Sequence, residues 1–168
     1  MNERCENVLI IKGENSLLEK FDKEFSGEYI GYVYNPKSKD LIKEVYSGYS
    51  LENFIPRDRE VYERQDCEWE TNNWGSMTDI LNGEKISLCK TKDYYTYLFS
   101  TGFFAPVHVV KKMSERYSEL EFEIRYVEAG KLYAGAIIFK SGNIINSNII
   151  GPDKVEVQKF VEKYIEDK

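Results

Sequence analysis

The sequence has 168 residues and a formal net charge of −6, and 42% of its residues are hydrophobic, 14% aromatic and 31% charged. This composition is typical of a globular protein that is long enough to bury its own core, and the acidic charge disfavours nonspecific binding to nucleic acid or to anionic membranes. No apolar run approaches the ~20 residues that a membrane-spanning helix needs, so we expect a cytoplasmic protein with no membrane contact.

The N-terminal third of the chain predicts a strand, a helix and a less regular tyrosine-rich segment. The apolar run Asn7–Gly13, closed by glycine, is typical of a buried strand. Leucines and phenylalanines at helical spacing predict an amphipathic helix over Leu17–Phe25. Residues 28–48 predict a strand, a turn at Asn35-Pro36 and one helical turn. The alternating segment Tyr49–Pro56 ends at proline, as edge strands do.

The remainder of the chain predicts hairpins more often than crossovers. The charged run Arg57–Glu70 predicts an exposed helix or loop, and Thr91-Lys92-Asp93 predicts a hairpin turn between the strand candidates KISLCK and YYTYLFST. The strands expected to share one sheet are Asn7–Lys12, Tyr95–Ser100, Glu119–Glu128, Leu132–Lys140 and Ile144–Ile149, and the remaining helices are Val107–Arg116 and one after Pro152.

This order of elements predicts an α+β fold with helices packed on one face of a mainly antiparallel sheet. In particular, the helices Leu17–Phe25 and Val107–Arg116 are expected on the same face. The length predicts one domain over residues 1–168, with an elaborated insertion around residues 28–75.

Four stretches of the chain are similar to one protein family. They are RCENVLIIKG, LENFIP, NNWGSMTD and the long stretch from Tyr97 to Gly142. In this order they resemble the YubB-like ferredoxin-like domain family of phages, plasmids and other mobile elements. The resemblance implies a ferredoxin-like sheet and no activity, since the function of that family is not established. Met77 and Thr78 depart from the family signature, which has Lys and Trp there.

The segment WETNNWGSM holds both tryptophans of the chain. One interpretation is a recognition surface, in which Trp69 or Trp74 contacts a partner and Asn72 and Asn73 supply hydrogen bonds, because tryptophan is enriched among binding hot spots. The other is a packed loop, in which Trp74 enters the core and Gly75 allows the turn after it. We expect Trp74 to be a core anchor and Trp69 to be partly exposed.

A second candidate binding site is the polar face of the predicted strand ELEFEIRYVE. Glu121, Glu123 and Arg125 alternate with apolar residues, so they share one face. The two carboxylates would lie ~7 Å apart, which suits a shared cation or a basic partner. A solvated strand face explains the same pattern.

Patterns for catalysis or metal binding are scarce. Cys5, Cys67 and Cys89 are too widely spaced for a metal motif, so we expect free and mostly buried thiols. The one histidine, His108, is expected to face solvent. No nucleotide-binding, zinc-protease or calcium-loop motif occurs, and we expect no cofactor and no metal.

The sequence therefore favours a non-catalytic module that binds another protein. A small enzyme that uses clustered carboxylates or a cysteine is the alternative. RNA binding is a third hypothesis, because RNA-recognition domains stack bases on aromatic residues of their strands and KLYAGAIIF contains Tyr133 and Phe139. The acidic charge argues against nucleic acid, and the sequence contains no signal for an oligomeric state.

Overall fold

A computed structural model describes residues 3–64, 66–81 and 86–166. In chain order, its strands and helices are β1 (Arg4–Lys12), α1 (Asn15–Phe25), β2 (Glu28–Asn35), β3 (Asp40–Ser47), α2 (Arg59–Arg64), α3 (Glu68–Asn73), β4 (Ser87–Lys90), β5 (Tyr94–Gly102), α4 (Val107–Arg116), β6 (Glu121–Val127), β7 (Ala134–Lys140), β8 (Asn143–Ile150) and α5 (Lys154–Tyr164). Short 3₁₀ turns occupy Leu51–Asn53 and Ala129–Lys131.

The described strands form a six-stranded sheet in the order β4-β5-β1-β6-β7-β8, and β2 and β3 form a separate two-stranded sheet. All neighbours in the larger sheet are antiparallel. In the central strand β1, Leu9 lies opposite Tyr97 of β5 on one side and Ile124 of β6 on the other. The predicted α+β class and the five strands assigned to one antiparallel sheet are confirmed.

The larger hydrophobic core lies on one face of this sheet. Leu9 and Ile11 of β1 are fully buried there, because alternate residues of a strand point to the same face. Phe21 of α1 and Val110 and Met113 of α4 pack into the same cluster. The prediction that these two helices share a face is therefore confirmed.

The opposite face of the sheet is covered by α5. Val157, Phe160 and Val161 of this helix form a second cluster with Val8 and Val127, which point away from the larger core. The expectation that the helices pack on one face was therefore wrong for α5. Its apolar stripe needs a surface to cover, and the alternating apolar residues of β1 and β6 supply one.

Two predictions between α1 and β4 were also wrong. Tyr49–Pro56 is not an edge strand: Ser50 caps the 3₁₀ turn inside it by accepting a hydrogen bond from the Glu52 amide (3.1 Å). The helical turn predicted before residue 48 is β3, which pairs with β2 along its whole length, while the turn at Asn35-Pro36 is confirmed. Lys85, in the predicted strand KISLCK, lies outside the described residues.

None of the described helices is both long and apolar enough to cross a bilayer.

Candidate protein-binding site

Trp74 is the anchor of the tryptophan segment, as predicted. Its side chain is fully buried, and its indole Nε1 donates a hydrogen bond to the Ile55 carbonyl (2.8 Å). The Trp74 carbonyl accepts hydrogen bonds from the His108 and Val109 amides at the start of α4 (3.1 and 3.3 Å). Gly75 has φ +92°, and a Cβ there would lie 3.0 Å from both the Ala105 carbonyl oxygen and the Val107 amide nitrogen. The turn therefore requires glycine.

Trp69, at the start of α3, is only half-buried. Its ring packs against Trp74 edge to face, with centroids 5.6 Å apart. The Asn73 side chain donates to the Trp69 carbonyl (2.9 Å), whereas the Asn72 side chain is exposed. His108 is exposed, as expected, and its ring Nδ1 lies 3.0 Å from the Asn72 carbonyl. Two of the four predicted residues, Asn73 and Trp74, thus hold the loop together, and the other two face water in part.

Arg57 links this loop to the rest of the chain. Its guanidinium lies over the Trp74 ring, 4.7 Å from the centroid, and over the Tyr62 ring, at 4.4 Å. The Arg57 Nε donates to Glu52 (2.6 Å) and its Nη1 to Glu70 (3.0 Å). We call these five residues the Arg57 cluster. It is a stacked cation held between two buried carboxylates.

The electrostatics of the Arg57 cluster follow from this geometry. Burial alone would lower the pKa of the Arg57 guanidinium, but the Glu52 carboxylate outweighs burial and, with Glu70, raises it. Burial and the hydrogen bond to Glu52 raise the pKa of Tyr62. The side chain of Glu52 is fully buried and that of Glu70 is 8% exposed, so removal of Arg57 would leave two carboxylates in a dry environment.

A cleft of about 510 Å³ lies beside the Arg57 cluster, between the β2–β3 hairpin and residues 78–81. Its walls include Tyr29, Tyr46 and Asp79. Asp79 accepts hydrogen bonds from the Leu51 and Ile80 amides (2.8 and 2.7 Å) and from the Ser50 hydroxyl. Burial raises the pKa of the Asp79 carboxyl, and these hydrogen bonds oppose the rise. The carboxylate fixes the loop and leaves little capacity for acid–base chemistry.

The β2–β3 hairpin contacts the body of the protein both in the middle of β2 and next to its turn, where Arg59 of α2 donates to the Asp40 carboxylate (2.5 Å). Tyr32 packs against Tyr62 at 5.2 Å, which connects the hairpin to the Arg57 cluster. On the same face of the hairpin as Tyr32, the side chains of Ile30, Tyr34 and Val45 are 42%, 56% and 66% exposed. An isolated two-stranded sheet is marginally stable in water, so the contacts with Tyr62 and Arg59 hold the hairpin in place.

The second predicted site lies on the opposite face of the sheet from the tryptophan segment. Arg125 Nε donates to Glu123 (2.8 Å), and its Nη1 donates to the Tyr164 carbonyl at the end of α5 (3.3 Å). Glu121 lies on the same face and is half-buried. The pair of Arg125 and Glu123 therefore docks α5, and the structure does not bring this site together with Trp69.

The cysteines considered for catalysis and the aromatic residues considered for RNA binding lie outside the Arg57 cluster. Cys5 is buried, and burial raises the pKa of its thiol, which makes it a poor nucleophile. Cys67 and Cys89 are free and exposed, so the expectation of mostly buried thiols was wrong. Phe139 is buried in the larger core and Tyr133 precedes β7. These two rings do not form a stacking platform for bases.

Within residues 3–64, 66–81 and 86–166, no three His, Cys, Asp or Glu side chains are grouped so that they could hold a metal ion.

Sequence reasoning missed Arg57 and the exposed hairpin. Arg57 follows Pro56 in a run rich in acids, and nothing in its spacing predicts that it lies between two rings. The hairpin had a usable signal: YIGYVY and LIKEVY place apolar residues at both odd and even positions. A two-stranded sheet with both faces apolar must either be buried or expose one of them.

Three comparisons place this architecture among known proteins. Residues 83–165 match the family model described as "Ferredoxin-like domain in Api92-like protein", and no curated protein matches the chain. The chain is similar to a crystal structure of protein api92 from Yersinia pseudotuberculosis, with a TM-score of 0.67, 9% sequence identity and coverage of 90% of this chain and 99% of that chain. At this identity the likeness shows the fold alone. Residues 83–165 are thus similar to the ferredoxin-like domain of Api92-like proteins.

Proposed function

We propose that the protein is a non-catalytic module that binds another protein through one face of the β2–β3 hairpin. The exposure of Ile30, Tyr34 and Val45 on that face supports this proposal. Contiguous apolar surface on a soluble protein is characteristic of interaction sites. Contacts of Tyr32 with Tyr62 and of Asp40 with Arg59 also hold the hairpin in place, which lowers the entropy lost on binding.

The composition of this face defines the chemistry of the partner. Lys43 lies opposite Tyr32 in the middle of the face, between the pair Ile30–Val45 and the exposed Tyr34. A complementary surface would be apolar with a carboxylate placed to meet Lys43. Tyrosine at the edge of such a surface supplies both contact area and a hydroxyl.

The alternative of an enzyme has less support. A carboxylate that acts as general acid or base needs a free oxygen near the substrate. Glu52 already accepts from Arg57 and from the Tyr62 hydroxyl (2.6 Å). Glu70 is also held by Arg57, although its Oε2 has no hydrogen-bond partner among the described residues. The buried Cys5 has a raised pKa.

The other predicted properties enter the proposal as follows. Trp69 and Asn72, which are at least partly exposed, would form a secondary contact. Glu121 would contribute on the other face only if a partner reached beside α5. The acidic charge is consistent with a cytoplasmic location. The mobile-element origin implied by the YubB-like resemblance, and a single domain with an insertion around residues 28–75, stay predictions.

Affinity capture with the full chain as bait tests the proposal. Val45→Lys places a charge within the hairpin face, and because Val45 is 66% exposed the change should alter stability by less than ~0.5 kcal/mol. We expect a captured protein to be lost from the Val45→Lys bait.

The matched control is Val155→Lys, which adds the same charge at a valine of α5 that is 65% exposed. This bait should retain the protein captured by the wild type. Equal capture by all three baits, or loss from both variants, would contradict binding through the hairpin.

A further inference from the structure

The two edges of the six-stranded sheet are protected to different degrees. Strand edges present unpaired amides and carbonyls, and proteins shield them with short strands, charge or proline. The edge strand β4 is four residues long and ends at Lys90. The other edge strand, β8, is eight residues long, and its sequence NIINSNII contains no charge and no proline. By these criteria β8 is open to pairing.

Three large apolar side chains of β8 are exposed. Ile144, Ile145 and Ile149 are 59%, 56% and 63% exposed. Within the described part of the chain, β8 pairs only with β7. Ladder pairing with β7 is regular from Asn146 to Ile150 and shifts at Ile145. Three exposed isoleucines on a free edge are the strongest apolar feature of this side of the molecule.

We propose that β8 pairs with β8 of a second copy of the chain, in antiparallel register, to form a twofold-symmetric dimer. In a twofold interface the same strand must complement itself. The register that sets Ile144 opposite Ile149 of the second copy also sets Ile149 opposite Ile144. Cross-strand pairs of β-branched residues stabilise antiparallel sheets.

The negative net charge of the chain favours β8 over other parts of the surface as the contact between two copies. The chain has a net charge of −6, so two copies repel unless the contact is made by neutral residues. β8 is a neutral strand of eight residues. Pairing of β8 with β4 of another copy would join only the four residues of β4 and would propagate into an open chain of molecules. Pairing of β8 with itself closes after two copies.

This inference is independent of the proposed function, because β8 and the hairpin belong to different sheets. Light scattering after size exclusion, over a roughly hundredfold range of concentration, measures the molar mass of the full chain. We expect twice 19.7 kDa for the wild type at high concentration. The Ile149→Lys variant should remain at 19.7 kDa throughout, because the change buries an ammonium group against isoleucine.

A second variant, Ser147→Lys, places the added charges of the two copies near the twofold axis, and should also be monomeric. The control is Val45→Lys, at a valine of similar exposure on the hairpin (66%), and it should still form the dimer. Melting temperatures and circular dichroism establish that each variant is folded. Hydrogen exchange at the β8 amides should be slower in the wild-type dimer than in the monomeric Ile149→Lys variant.

The inference is overturned by a wild type that stays monomeric at every concentration. It is also overturned by a dimer that persists in the folded Ile149→Lys and Ser147→Lys variants, since the interface would then lie elsewhere. Assemblies that grow beyond two copies with concentration would contradict the closed twofold arrangement.

Discussion

The tryptophan loop and the β2–β3 hairpin are close in the chain, yet they use their aromatic and apolar residues in opposite ways. In the loop, Trp74 is fully buried and the neighbouring Arg57 has its charge matched by carboxylates. In the hairpin, Tyr34 and Val45 are more than half exposed. The loop provides the support, and the hairpin provides the accessible surface.

A motif that is conspicuous in the sequence need not be available to bind a ligand. Tryptophan, arginine and paired acids attract a functional interpretation because they are rare or charged. In this chain most of their polar atoms are paired within the fold: the Arg57 guanidinium donates to both carboxylates and the Trp74 indole donates to a carbonyl, and of these groups Glu70 Oε2 lacks a partner among the described residues. A side chain whose interactions are complete within the fold has little left for a ligand. The surface that can still gain contacts consists of ordinary apolar residues.

The largest expected effect separates the two tryptophans. Trp74→Ala should lower the free energy of unfolding by ~3–5 kcal/mol, because it leaves a large cavity in the core. Trp69→Ala should lower it by about 1 kcal/mol, the value of one edge-to-face aromatic contact. Denaturant titration of both variants measures the difference. An equal loss of unfolding free energy in the two variants would show that Trp69 is as much a part of the core as Trp74.

Removal of the Arg57 guanidinium should have the next largest effect on stability. Arg57→Met should lower the free energy of unfolding by ~3 kcal/mol at neutral pH, because Glu52 and Glu70 stay buried without their partner. The triple variant Arg57→Met, Glu52→Gln, Glu70→Gln should recover most of this loss, since no unpaired charge remains. A single variant as stable as the wild type would show that the Arg57 cluster does not support the loop.

A smaller effect concerns two aspartates whose pKa values shift in opposite directions. Burial alone would raise the pKa of Asp22, but hydrogen bonds from Lys90, Tyr49 and Tyr97 outweigh it and lower the pKa. Asp22 therefore adds stability above its unfolded pKa of about 3.9, and this stability is lost as the pH falls through the folded pKa. Burial raises the pKa of Asp79, so its contribution has the opposite sign: stability falls as the pH rises from about 3.9 to the folded pKa.

Melting temperatures between about pH 3 and pH 7 test these signs through two isosteric variants. Asp22→Asn should reduce stability at neutral pH and weaken the loss of stability in acid. Asp79→Asn should remove the opposite trend, so its stability relative to the wild type should be higher at neutral pH than in acid, because the amide carries no charge and its oxygen can still accept from Leu51 and Ile80. The same pH dependence in both variants would contradict the assignment.

The sheet could be predicted from the sequence because its strands alternate clearly. In β6, Phe122 and Ile124 are buried while Glu121 and Glu123 are not, as the period of two requires. The face covered by α5 could not be assigned, since apolar residues of β1 point to both sides and the pattern gives no preference. The order of elements alone does not say which face a terminal helix takes.

The candidate site was less predictable than the sheet. The burial of Trp74 and the need for glycine at Gly75 followed from residue types. The role of Arg57 could not be predicted in this way. Its guanidinium stacks on Trp74, 17 positions later in the chain, and on Tyr62, 5 positions later, and no local sequence period encodes these contacts. The sequence placed Ile144–Ile149 in the sheet but did not indicate that this strand is an edge, since apolar content does not distinguish a central strand from an edge.

The most direct test of the central claim is the affinity of the captured partner for three forms of the protein, measured by titration calorimetry. The wild type sets the reference Kd. We expect Val45→Lys to weaken binding at least about tenfold, a loss of ~1.4 kcal/mol, and Trp69→Ala to weaken it less. Loss of binding in Trp69→Ala, with Val45→Lys unchanged, would show that the tryptophan loop binds and the hairpin does not.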